Sequence, residues 1–210
     1  MNTMAKTILE HTKGLPEGTP ICAKELLHLG GRAAVDQALS RLLRRGHLMR
    51  VGRGVYVRPV EGRFGKRAPS ASSVVENIAR VTGEAIAPHG AAVANKLGLT
   101  TQVPVRSVYI TSGRSRQLKL GSQVVELRHA PHWQLALGNQ PSGEVLRALA
   151  WLGPEKAGAA LRTLKRKLSA PELQAIASAR SLLPSWLAKQ VSEVVLNLGA
   201  SSASGQKSDR

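Results

Sequence analysis

Six arginines fall between positions 41 and 58, namely Arg41, Arg44, Arg45, Arg50, Arg53 and Arg58, and no acidic residue interrupts them. Guanidinium groups at that density suit one chemistry above others: gripping phosphate oxygens and reading guanine edges through paired hydrogen bonds. Just upstream, Arg32, Asp36, Gln37, Ser40 and Arg41 recur at helical spacing and carry both donors and acceptors. Gln pairs with adenine through two hydrogen bonds and Arg with guanine, and the N-terminal half of a recognition helix is where such contacts arise. Arg44, Arg45 and Arg50 lie further along and are expected to meet phosphates. Arg53 stands between Gly52 and Gly54, where it is expected to enter a minor groove or lie along the backbone.

Three elements must position these side chains. Val35, Ala38, Leu39 and Leu42 follow the i, i+3, i+4, i+7 spacing of a buried helix face, which predicts a helix from about Arg32 to a stop at Gly46. Leu48 to Val51 and Val55 to Val57 are rich in β-formers and flank a glycine-bearing turn, the pattern of a hairpin. Upstream, a short helix carries Ile8 and Leu9 and ends at the Gly14–Gly18 cluster, and a brief strand near Ile21 is expected to pair with the later hairpin. A second helix over 23–29 stops at Gly30-Gly31. Helix, turn, helix and wing together predict a winged helix-turn-helix DNA-binding domain over residues 1–58.

Residues 59–70, rich in Pro, Gly and cations, read as a basic linker. Beyond it, 71–135 is expected to be mixed α+β. A helix capped by Ser70 or Ser72 buries Val74, Val75, Ile78 and Val81; strands follow over 84–88, 105–111, 117–120 and 124–129, with a helix over 90–97. The stretch 136–198 then reads as helices at 142–152, 154–168, 171–179 and 184–198, three of them with Pro in the first turn. Ser169 and Glu172 have capping-box spacing. Residues 199–210 read as a disordered tail. The expected fold class is α+β, a winged helix-turn-helix domain followed by a mixed α+β domain ending in a helical region.

Composition narrows the function classes. A net charge of +17 on 210 residues points to a polyanionic partner, yet residues 1–60, 61–140 and 141–210 each hold ten Lys and Arg, so charge alone locates nothing. Aromatic residues make up only 3%, and Tyr56, Phe64 and Tyr109 form no stacking platform for unpaired bases. One cysteine, Cys22, excludes a disulfide framework. No apolar run approaches the roughly 18–20 residues of a membrane span, and Met1 to Lys13 lacks a secretion-signal core, so a cytoplasmic protein with no membrane partner is expected.

His129 and His132 flank Pro131 with no third ligand nearby, and His89 reads as a helix-start histidine; no metal or cofactor is expected. Phosphate-binding loops, paired catalytic carboxylates and nucleophile elbows are absent from the sequence. An enzyme is therefore disfavoured, a nuclease-like site around His89, Glu126 and His129 being its weakest form. Trp133, Trp151 and Trp186 read as core residues of the second half.

Several stretches resemble AbiEi-type antitoxins, the regulators of type IV toxin–antitoxin pairs. They are Ala23-Lys24-Glu25-Leu26, the run from Arg32 to Leu42 and Arg53-Gly54-Val55-Tyr56. To these are added Pro88-His89-Gly90, the run Ala94 to Pro104 and Val108-Tyr109-Ile110-Thr111. The resemblance covers roughly residues 5–135. It implies a transcriptional repressor that binds inverted repeats in its own promoter and opposes a nucleotidyltransferase-like toxin. The sequence-level expectation is thus a double-stranded-DNA-binding repressor and antitoxin. The alternative is a module that neutralises a toxin by direct contact, with the winged helix as scaffold.

Overall fold

The computed structural model describes residues 3–63 and 65–203, with side chains up to Val194. The chain is mixed α+β and closes in a helical region. It divides into two compact units that do not follow the expected boundaries: residues 1–86 with 113–128, and residues 87–112 with 129–210.

In the first unit, α1 (Thr3–Lys13) buries Ala5, Ile8 and Thr12. Strand β1 (Ile21–Cys22) follows, and α2 (Arg32–Arg44) buries Val35, Ala38, Leu39 and Leu42. Ala5, Ile8 and the buried residues of α2, with Leu26 and Leu48, build one apolar cluster. Burying each large aliphatic stabilises the fold by about 1.5–3 kcal/mol, which is why the leucine spacing dictates the helix. Helix α2 ends as the sequence implies. Gly46 takes φ 66°, the Gly46 amide donates to Leu43 O (3.0 Å) and the His47 amide to Leu42 O (2.9 Å). This left-handed cap turns the chain directly into β2 (Met49–Gly52) and β3 (Val55–Val57). The resulting sheet has the order β1-β3-β2, with Tyr56 opposite Ile21 on one side and Arg50 on the other.

Two expectations for this region need correction. No α-helix forms over 23–29; the stretch is a run of turns ending in a single 3-10 turn, Leu27–Leu29. The segment is clamped in front by the Ala23 amide on Gly54 O and behind by the start of α2. What remains fits only i to i−3 bonds: Glu25 to Cys22, Leu27 to Lys24 and Leu29 to Leu26. Nor is 59–70 a bare linker. It holds the antiparallel ribbon β4 (Val60–Gly62) and β5 (Gly65–Arg67), framed by buried Pro59 and Pro69. Lys66 Nζ donates to Gly46 O (3.0 Å), Arg67 pairs with Glu17 (3.6 Å) and the Ser70 amide donates to the Glu17 carboxylate (3.3 Å). Phe64 lies outside the described residues.

Helix α3 (Ala71–Thr82) starts at Ser70, whose hydroxyl accepts from the Ser73 amide (3.1 Å), and buries Val74, Val75 and Ile78. Its Asn77 is buried and satisfied, donating to Glu17 O and Ser73 O. Val81, expected inside, is 45% exposed because the last turn overruns the apolar surface. Strands β8 (Arg116–Leu120) and β9 (Gln123–His129) form a hairpin in register Leu118↔Val125, and β8 packs against β2.

The second unit carries β6 (Ile86–Pro88) beside β7 (Ser107–Thr111), and α4 (Gly90–Lys96). Its mass is α5 (Pro141–Lys165), α6 (Ala170–Ser178) and α7 (Ser185–Ala203). Helix α5 breaks at Gly153 (φ 76°, ψ 175°) before Pro154, the junction expected between two separate helices. Glu172 accepts from the Ser169 amide (2.7 Å) at the start of α6. Trp133 and Trp186 pack on the helical core, but Trp151 is 36% exposed. Helix α7 runs to Ala203, so residues 199–203 are helical where a tail was expected; the rest of that stretch, 204–210, lies outside the described residues. No helix among the described residues is long and apolar enough to cross a membrane.

Candidate nucleic-acid interface

A groove of about 530 Å³ runs between α2 and the β2–β3 hairpin in the first unit. One wall is the stripe Arg32, Asp36 and Ser40, at i, i+4 and i+8 on α2; the other carries Arg50, Arg53 and Tyr56, and Lys24 also lines it. Four cations thus face one acid. Five of the nine residues expected to touch DNA meet here. Gln37, Arg41 and Arg44 fall on the neighbouring stripe of α2, outside the groove, and Arg45 caps the helix end; Arg41 is half-buried and the other three are exposed.

The cations differ in how they are held. Arg32 Nε donates to Asp36 Oδ2 (2.9 Å), both side chains about half exposed. An exposed pair one turn apart contributes only about 0.3–0.5 kcal/mol. Arg50 Nε donates to Gly52 O (3.3 Å), bracing the guanidinium along its own strand. Among the described residues, no acid pairs with Arg41, Arg44, Arg45 or Arg53. Arg53 sits at the hairpin tip because Gly54 (φ 69°) makes the tight reversal there. Arg58, part of the same basic run, points elsewhere and donates to Lys13 O (3.2 Å) at the end of α1.

Lys24 and Tyr56 escaped the sequence reading. Their only signal was the pairing of β1 with β3, which lays the turn after Cys22 beside the hairpin. Cys22 also lines the groove. Burial first, then the charge and hydrogen bond of Glu25, push its thiol above the usual value, so it is a neutral lining residue rather than a nucleophile.

His89 is occupied in another way. His89 Nδ1 accepts from the Ala91 amide (3.2 Å) at the start of α4 and borders an apolar cavity of about 340 Å³ with Pro104 and Val105. Glu126 is ion-paired with Arg128 (2.6 Å). Among the described residues, no three His, Cys, Asp or Glu side chains gather as a metal site.

A family profile described as a family of unknown function, DUF6088, matches residues 7–170. The chain belongs to DUF6088. That match spans the whole groove, the ribbon, the β8–β9 hairpin and α5, so the groove is part of the family's common extent rather than an appendage to it. No curated protein and no solved structure matches the chain.

Proposed function

We propose that this DUF6088 chain is a double-stranded-DNA-binding transcriptional repressor whose N-terminal region acts as a winged helix-turn-helix. The observation that carries this reading is the groove itself. A polar helix stripe and an arginine-tipped hairpin face each other, with four cations against one acid. Helix α2 has the place and polarity of a recognition helix, and β2–β3 that of a wing. The 3-10 turn at Leu27–Leu29 stands where the first helix of the motif would be. In this reading α2 enters a major groove, its exposed Gln37 and half-buried Arg41 beside the Arg32 stripe, while Arg44, Arg45, Arg50 and Arg53 hold phosphates. The antitoxin role, with inverted repeats in its own promoter as operator, rests on the resemblance to AbiEi-type regulators alone.

Arg53→Ala tests the reading. Affinity for every duplex falls by a similar factor, and the slope of log affinity against log salt becomes shallower by about 0.9, the value of one phosphate contact. Unchanged affinity and slope at matched salt would remove the wing from the interface and the proposal with it.

A second reading has its own motivating feature. Val103 and Val105 are 74% and 101% exposed beside the apolar cavity of the second unit, the kind of surface that a protein partner covers. There the chain binds a nucleotidyltransferase-like toxin directly. Co-purification of the full chain with the product of its operon neighbour, lost on Val105→Asp, is the expected result; co-purification insensitive to that change refutes it.

A further inference from the structure

The Arg32–Asp36 pair has no good explanation in helix stability. Arg32 opens α2, where the helix dipole presents positive charge and disfavours a cation. Its acid partner lies four residues later, the weaker of the two orientations for such a pair. No side chain caps this helix start, and its first turn holds no acid. The pair thus adds at most a few tenths of a kcal/mol to the helix, against an unfavourable dipole, and it sits on the wall of the groove.

Its geometry fits a different task. Asp36 Oδ2 takes the Nε–H of Arg32 at 2.9 Å, which leaves the two terminal nitrogens of the guanidinium open for an acceptor pair. Guanine presents such a pair, O6 and N7, in the major groove. A long side chain that is half exposed samples many rotamers, and fixing its fork before contact lowers the entropy lost on binding. Asp36 alone would repel a phosphate backbone; neutralised by Arg32 it does not. We infer that Asp36 is a positioning residue that holds the Arg32 fork for bidentate recognition of one guanine, making the pair a determinant of sequence preference. This rests on the DNA-binding reading and deepens it.

Selection from randomised duplexes by the full chain, followed by affinity measurements on the selected and base-swapped sites, tests it. The wild-type chain prefers guanine at one position of its site by about tenfold, the range expected of a bidentate pair. Asp36→Ala, which removes the acceptor, lowers that preference to about twofold or less, while affinity for unrelated duplexes stays level or rises as a negative charge leaves the interface. Arg32→Ala loses the same preference, and the double variant loses no more than either single change. A merely structural role for Asp36 would lower affinity for all duplexes together and leave the preference intact. That outcome, or a wild-type chain selecting no guanine, overturns this inference and leaves DNA binding standing. Failure of the wild-type chain to bind any duplex overturns both.

Discussion

The groove of the first unit and the end of α5 in the second are both rich in cations, but their charges come together differently. Arg162, Lys165, Arg166 and Lys167 lie within six residues at one helix terminus. There the exposed carbonyls and the dipole favour positive charge, so local electrostatics accounts for them. Lys24, Arg32, Arg50 and Arg53 come from three separate stretches of chain, joined by the β1–β3 pairing, the Gly46 cap and the shared apolar cluster. Local structure gives no reason for them to meet. A charge cluster assembled by tertiary pairing points to a ligand more strongly than one of equal size read off a single helix.

The largest effect that probes this difference is removal of the apolar support of α2. Leu39 is fully buried on the inner face of that helix, and Leu39→Ala is expected to cost about 2–5 kcal/mol of stability, read from denaturant unfolding. Duplex affinity goes with it. Leu161→Ala in the helical core is expected to cost a similar amount but, measured below its unfolding transition, to leave affinity unchanged. Equal losses of affinity from the two changes would break the contrast.

A smaller effect is expected at the junction between the groove walls. Gly46→Ala forces a side chain into the left-handed region and costs about 1–2 kcal/mol. Because Gly46 sets the angle at which α2 hands the chain to β2, affinity is expected to fall even where the variant is fully folded by circular dichroism. The smallest effect belongs to α5. Changing Lys165, Arg166 and Lys167 together to Gln is expected to leave the salt slope of duplex binding unaltered. A slope shallower by the amount due to several phosphate contacts would instead make the α5 terminus part of the interface.

Much of the architecture was legible wherever periodicity and local chemistry agree. The buried stripe of α2, its stop at Gly46, the Ser70 cap and the Gly153-Pro154 break all follow from residues within one turn of the feature. The misreadings share a cause at longer range. Leu26, Leu27 and Leu29 have spacing that suits a helix or a 3-10 turn, and the clamps at Ala23 and at the start of α2 decide between them. Pro and Gly at 59–70 suit a linker as well as a ribbon; the decision lies with Glu17 and Gly46, far away in sequence. For the site, spacing on α2 named Arg32, Asp36 and Ser40. It separated them from Gln37 and Arg41 only once the hairpin supplied a second wall, and it had no means of finding Lys24 or Tyr56.

The interleaving of the two units also has a consequence for synthesis. The first unit is built from residues 1–86 and 113–128, so the strand β8 that backs β2 emerges only after a segment of the other unit has left the ribosome. Until then the side of β2 against which β8 packs is uncovered, and surface left exposed on a partly folded chain invites association with another nascent chain. Cutting the gene at residue 86 would make that transient state permanent. A fragment comprising only the N-terminal segment is therefore expected to express as an aggregate, even though it contains every residue that lines the groove.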